Sequence, residues 1–138
     1  LENLKPGKKL RKYVYDSNNV PRSKFGDLQD YEELLDVKDD TVSLEMPGNA
    51  IVMLTTDYTE ERPAAVTGVR AEAGTVSWGA SADPSHVYYR VYKGETPDFA
   101  PSKENQIAST IAEKCVDPDG KPGYYKVCSV NRSGNCSL

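Results

Sequence analysis

Three cysteines and one histidine are the residues in this 138-residue chain best suited to chemistry. Cys128 and Cys136 lie close together in the closing stretch "GYYKVCSVNRSGNCSL", with Cys115 upstream. A structural zinc site wants paired ligands at short spacing, such as two cysteines separated by two residues with a second pair elsewhere. The three cysteines are too spread out for that, and His86 is far from all of them in sequence. The remaining readings are a nucleophile with a helper or a covalent clamp.

Asp83, Ser85 and His86 fall together in "ADPSHV". They have the residue types of a hydrolytic triad, but triads are assembled from separated elements, so a turn before a strand is the better account. The stretch Asp117-Pro118-Asp119-Gly120 has the start of a calcium loop. It continues through Lys121-Pro122-Gly123 and lacks the closing glutamate, which again favours a turn. Asn131-Arg132-Ser133 and Asn135-Cys136-Ser137 match glycan acceptors, though asparagine is also a common turn residue.

Glycoside hydrolysis needs two carboxylates about 5 to 10 Å apart across a sugar site. Glu32, Glu33 and Asp36 instead share a dense acidic stretch from Asp27 to Asp40 and read as a solvated face. That stretch answers a basic cluster of Lys5, Lys8, Lys9, Arg11 and Lys12. The net charge of -4 argues against nucleic acid as a partner, since a groove binder wants a basic surface. No apolar run approaches the roughly 18 residues of a membrane helix. The first residues carry no signal-like pattern, and the chain is expected to be a piece of a longer polypeptide. No cofactor is expected.

The elements that must position these groups change character near Arg62-Pro63. After that point turn signals recur at β-sandwich spacing. Candidate strands are "VTGVRAEA", "GTVSWGAS", "HVYYRVYKG", "QIASTIAEKCV", "YYKVCSV" and a short "NCSL". Val76 and Trp78 share one face, as do Val87, Tyr89 and Val91, while Tyr88, Arg90 and Tyr92 face the other way. Before Arg62, "DLQDYEELLD" places Leu28, Tyr31, Leu34 and Leu35 on one helical stripe with Asp27 as its cap, which predicts a short helix. "DTVSLEMPGNAIVMLTTDY" predicts two strands around a Pro47-Gly48-Asn49 turn, with Val42, Leu44 and Met46 facing inward.

The stretches "PAAVTGVRAEAGTVSWGAS", "YYRVYKG" and "YYKVCSVNRSGNCS" resemble a fibronectin type III domain over residues 63 to 138. The family's second-strand Trp falls on Trp78, its Tyr-x-Val on Tyr89-Arg90-Val91, and its sixth-strand Tyr on Tyr125. In this reading Trp78 fills the space between two sheets, and Tyr125 buries its ring while its hydroxyl bonds nearby backbone. Residues 4 to 58 resemble the end of the β-sandwich beside the catalytic barrel in family 39 glycoside hydrolases, a family that includes β-xylosidases and α-L-iduronidase. The matching residues are Tyr13 to Asp16 with Ser17-Asn18, and Pro47 through Leu54. The chain lacks the Asn-Glu dipeptide that holds the family's acid/base glutamate, so it is not expected to be an enzyme by itself.

Together these resemblances imply an all-β chain: a partial β-sandwich segment with one short helix over 1–62, then a fibronectin type III-like sandwich over 63–138. They imply a non-catalytic accessory region of a secreted glycoside hydrolase. Its partner would be the parent's catalytic barrel, with polysaccharide as a second. A carbohydrate-binding module and an interaction module of an adhesin are the alternatives. Tyr88, Arg90, Tyr92, Tyr124 and Lys126 would form an outward surface for sugar or for a neighbouring domain.

Matching Tyr125 and Val127 to the inward positions turns Cys128 outward. The turn "NRSG", with Gly134 suited to positive φ, then brings Cys136 opposite. This predicts a Cys128–Cys136 disulfide, with pairing to Cys115 as the alternative and Cys115 otherwise a buried free thiol. A disulfide implies an oxidising compartment: secreted, periplasmic or lysosomal in type.

Overall fold

A computed structural model describes residues 9–17, 25 and 30–138. Two compact units divide the chain, Leu1–Tyr58 and Thr59–Leu138, a few residues before the expected boundary at Arg62-Pro63. Among the described residues every regular element is a strand, and all pairing between strands is antiparallel.

The first unit holds one sheet of three strands, β1 (Leu10–Asp16), β2 (Glu33–Leu35) and β3 (Ala50–Thr55), in the order β2-β1-β3. Leu10, Val14 and Leu35 are buried. The Arg11 guanidinium is buried too, 4.7 Å from the Tyr31 ring centre and 4.2 Å from that of Tyr58. Two aromatic faces thus replace part of the water that the cation gives up.

The expected helix is corrected here. Leu34 and Leu35 lie in β2, paired with Arg11 and Leu10. A helix of under three turns is marginal by itself, and the open edge of β1 offers Leu35 a buried partner that a free helix would not have. Leu28 and the proposed cap Asp27 lie outside the described residues. Residues 42–47 form no strand either, and Met46 is 64% exposed rather than inward. The expected turn is present at Gly48-Asn49, with Asn49 at positive φ, and it leads directly into β3. A second turn lies at Asp39-Asp40, where both residues have positive φ and Lys38 and Thr41 exchange backbone hydrogen bonds. That is the backbone of a tight hairpin turn.

The second unit is a β-sandwich. One sheet orders β4 (Arg70–Glu72), β5 (Thr75–Ser77) and β8 (Lys114–Val116) as β4-β5-β8. The other orders β6 (His86–Gly94), β7 (Gln106–Thr110) and β9 (Tyr124–Asn131) as β7-β6-β9. Val76 and Trp78, in and just after β5, pack against Tyr89, Val91 and Val127 of the facing sheet. Trp78 meets Tyr89 edge-on, with ring centres 5.3 Å apart, an arrangement favoured by the ring quadrupoles. Val87 departs from its expected face and is half exposed, because a register shift between His86 and Tyr88 interrupts the alternation.

Candidate functional site

Alternation along β6 and β9 carries Tyr88, Arg90, Tyr92, Lys126, Cys128 and Val130 to the outer face of the β7-β6-β9 sheet. Register sets Tyr88 against Val130, Arg90 against Cys128, and Tyr92 against Lys126. The sequence is therefore right about which residues share this face, but the face is not open. Tyr92 is only 6% exposed and forms a second small core with Cys128 and Val130, flanked by Tyr88, Phe99 and Cys136. Burial of Tyr92 corrects its place in the expected surface.

The cover has two sources. Cys136 is joined to Cys128 by a disulfide, with Cα atoms 5.8 Å apart, so the end of the chain lies across the sheet. Gly134 has φ +80° in the reversing turn, as its position requires. The loop after β6 adds Phe99. Lys126 then donates to the Phe99 carbonyl at 2.6 Å, with its ammonium 4.9 Å from the ring centre. Arg90 donates to the Tyr88 hydroxyl at 2.8 Å. Tyr124 is 50% exposed at the end of the sheet.

A second cluster lies where Lys93 reaches from β6 across to the loop after β8. Its ammonium donates to Asp117 Oδ2 at 2.7 Å, to the Lys121 carbonyl at 2.8 Å, and to Asp119 Oδ1. The Tyr125 hydroxyl donates to the same Asp117 oxygen at 2.7 Å. The sixth-strand tyrosine is thus satisfied by a carboxylate instead of the expected backbone. Gly123 leaves room for the lysine stem, since a Cβ there would come within 2.6 Å of Lys93 Cε.

Burial pulls the Lys93 ammonium toward neutrality, but the Asp117 and Asp119 hydrogen bonds outweigh it and raise its pKa. The lysine hydrogen bond, followed by the Lys121 amide, holds the Asp119 carboxyl below its ordinary value. The calcium-like Asp117 and Asp119 therefore serve an internal ammonium. Sequence reasoning missed Lys93, although an inward-turned lysine next to Tyr92 was a readable sign that a buried carboxylate waits opposite.

The Asp83 group is a turn. Ser85 donates to Asp83 Oδ1 through its amide at 2.8 Å and its hydroxyl at 2.7 Å, and the Ala64 amide meets Oδ2 at 2.6 Å. These bonds, the Ser85 hydroxyl first, lower the Asp83 pKa. His86 turns away from Ser85, with Nδ1 2.8 Å from the hydroxyl oxygen of fully buried Ser129. In the first unit Lys12 pairs with Glu32 and Glu33, and Lys9 with Asp36. Lys5 and Lys8 lie outside the described residues. Among the described residues no group of three or more His, Cys, Asp or Glu side chains is placed to hold a metal ion.

Cys115 is a half-buried free thiol packed against the main core. The disulfide pair fits an oxidising compartment. No protein-family model matches the chain, and no curated protein or solved structure is significantly similar to it.

Proposed function

We propose that this chain is the non-catalytic accessory region of a secreted glycoside hydrolase, a partial β-sandwich followed by a fibronectin type III-like module. Its work is structural: to brace the parent's catalytic barrel or set its orientation toward a polysaccharide. One observation carries the structural role. The carboxylates of the calcium-like and triad-like stretches and one ring of the expected surface are spent on the fold of the second unit: Asp117 and Asp119 on Lys93, Asp83 on Ser85 and Ala64, and Tyr92 on the outer-face core, while Cys115 stays a half-buried free thiol. The family rests on the resemblance of Tyr13 to Asp16, Ser17-Asn18 and Pro47 through Leu54, and secretion is supported by the disulfide.

Three measurements test the reading. The purified chain should not hydrolyse aryl xylosides or iduronides, and its migration should be unchanged in native gels containing xylan or glycosaminoglycan. The source protein should have an intact mass several hundred residues larger. Hydrolysis abolished by one carboxylate substitution would overturn the proposal. A carbohydrate-binding module is the second reading, favoured by the half-exposed ring of Tyr124 at the sheet end. Gel retardation lost in Tyr124→Ala would establish it instead.

A further inference from the structure

The two Asn-x-Ser triplets near the end of the chain have a use in the fold. Asn131 is 1% exposed. Its Oδ1 accepts the amides of Ser133 at 3.0 Å and Asn135 at 3.1 Å, which shapes the turn. Its Nδ2 donates to the Glu61 carbonyl at 3.0 Å. Asn135 Nδ2 donates to two carbonyls, Thr59 at 2.7 Å and Glu61 at 2.8 Å. The Thr59 amide donates back to Ser133 Oγ at 3.0 Å, and Arg62 Nη1 donates to the Leu138 carbonyl at 2.6 Å.

All these residues belong to the second unit. Residues 59–62 form no strand, so their backbone groups lack a sheet ladder, and the asparagine amides supply partners in its place. The turn that carries the amides is itself fastened. Cys136 is bonded to Cys128, and the Ser137 amide donates to the Ser129 carbonyl at 3.0 Å.

We infer that Asn131 and Asn135 form a latch that fastens the leading segment of the second unit to its last turn, and that the Cys128–Cys136 bond keeps this latch shut. Both Nδ2 protons of Asn135 are committed to carbonyls, and Asn131 Nδ2 is buried. A glycan on either nitrogen replaces an N–H by a C–N bond and adds bulk, so it is incompatible with the closed latch. Because Thr59 is the first residue of the unit, fastening begins at the unit boundary itself.

The full chain digested with a glutamate-specific endoprotease tests this. Glu60 and Glu61 are exposed, so access to the bonds after them depends on whether the backbone is held. Glu104 and Glu113, exposed elsewhere in the same unit, serve as internal references. A dithiol reductant supplies two electrons and two protons, opens the disulfide to two thiols and leaves as a cyclic disulfide. Cleavage after Glu60 and Glu61 should then rise roughly tenfold or more relative to the references, since proteolysis follows the open population. Asn135→Asp keeps size but removes both donors, and it should give the same local rise without reductant. Unchanged cleavage after Glu60 and Glu61 in either arm, or an equal rise at Glu104 and Glu113, overturns the latch.

Discussion

Tyr125 and Asp117 share one short hydrogen bond, 2.7 Å from phenol oxygen to carboxylate, and the same carboxylate oxygen receives Lys93. Tyr125→Phe removes one of these donors and leaves the buried carboxylate still paired. The expected loss is about 1 kcal/mol, the usual net worth of a hydrogen bond. In a domain of this size that lowers Tm by roughly 4 to 8 °C. Asp117→Asn should lower Tm further than Asp119→Asn, because Asp117 is buried whereas Asp119 is half exposed. Thermal melts followed by near-UV circular dichroism read all three, and equal melts for the two aspartate variants would contradict this account.

The same cluster sets a pH profile. Asp119, with its carboxyl held below the ordinary 3.8, contributes stability above that value and loses it as pH falls through the lowered one. Lys93, raised above its ordinary 10.5, contributes fully below that value and loses the contribution as pH climbs past it. Tyr125 is raised by burial first and then by Asp117, so it adds to the alkaline decline from its ordinary 10.0 upward. The expected curve of Tm against pH is flat through neutrality and falls at both ends. Lys93→Met should lower the plateau and soften both limbs. Curves that stay parallel at every pH would show the cluster does not titrate with folding.

Alkylation counts the thiols. In denaturant without reductant, iodoacetamide should label Cys115 alone, because Cys128 and Cys136 are bonded. In the native chain Cys115 should label slowly. Burial, with a smaller contribution from the Asp117 charge, raises its pKa and removes the reactive thiolate. Reduction should cost about 2.5 kcal/mol, the chain-entropy value for a loop this short. Peptide mapping that finds Cys115 linked to either partner would refute the assignment.

Strand β3, Ala50–Thr55, lies at the edge of its sheet and carries no charge, with Ile51 72% exposed. Such edges invite pairing with another chain. Ile51→Lys should slow heat-induced aggregation, read by light scattering, while changing stability by no more than about 0.5 kcal/mol, as befits a surface site. Unaltered aggregation kinetics would point to another segment.

The fold was legible where period-2 alternation coincides with a single large residue. Trp78 and Tyr89-Arg90-Val91 announced the main core, and the Cys128–Cys136 pair followed from alternation plus one turn. The first unit was less legible. A stripe at Tyr31, Leu34 and Leu35 fits a helix by spacing, but the choice fell to β1, a partner remote in sequence. The candidate surface was half legible for a related reason. Alternation tells which side Tyr92 faces, but not that Phe99 and Cys136 arrive to cover that side.

The disulfide also has a mechanical consequence. A pull applied through Leu138 first meets the Arg62 bond, then strips the tail from β9, and then stops at Cys136. The residues between the two cysteines cannot extend, which withholds roughly 20 Å of contour at about 3.5 Å per residue. Load then passes from Cys128 straight into the β6–β9 ladder, the longest among the described residues, running from His86 against Asn131 to Gly94 against Tyr124. The sandwich therefore resists tension with its most extensive row of hydrogen bonds rather than with its last few residues.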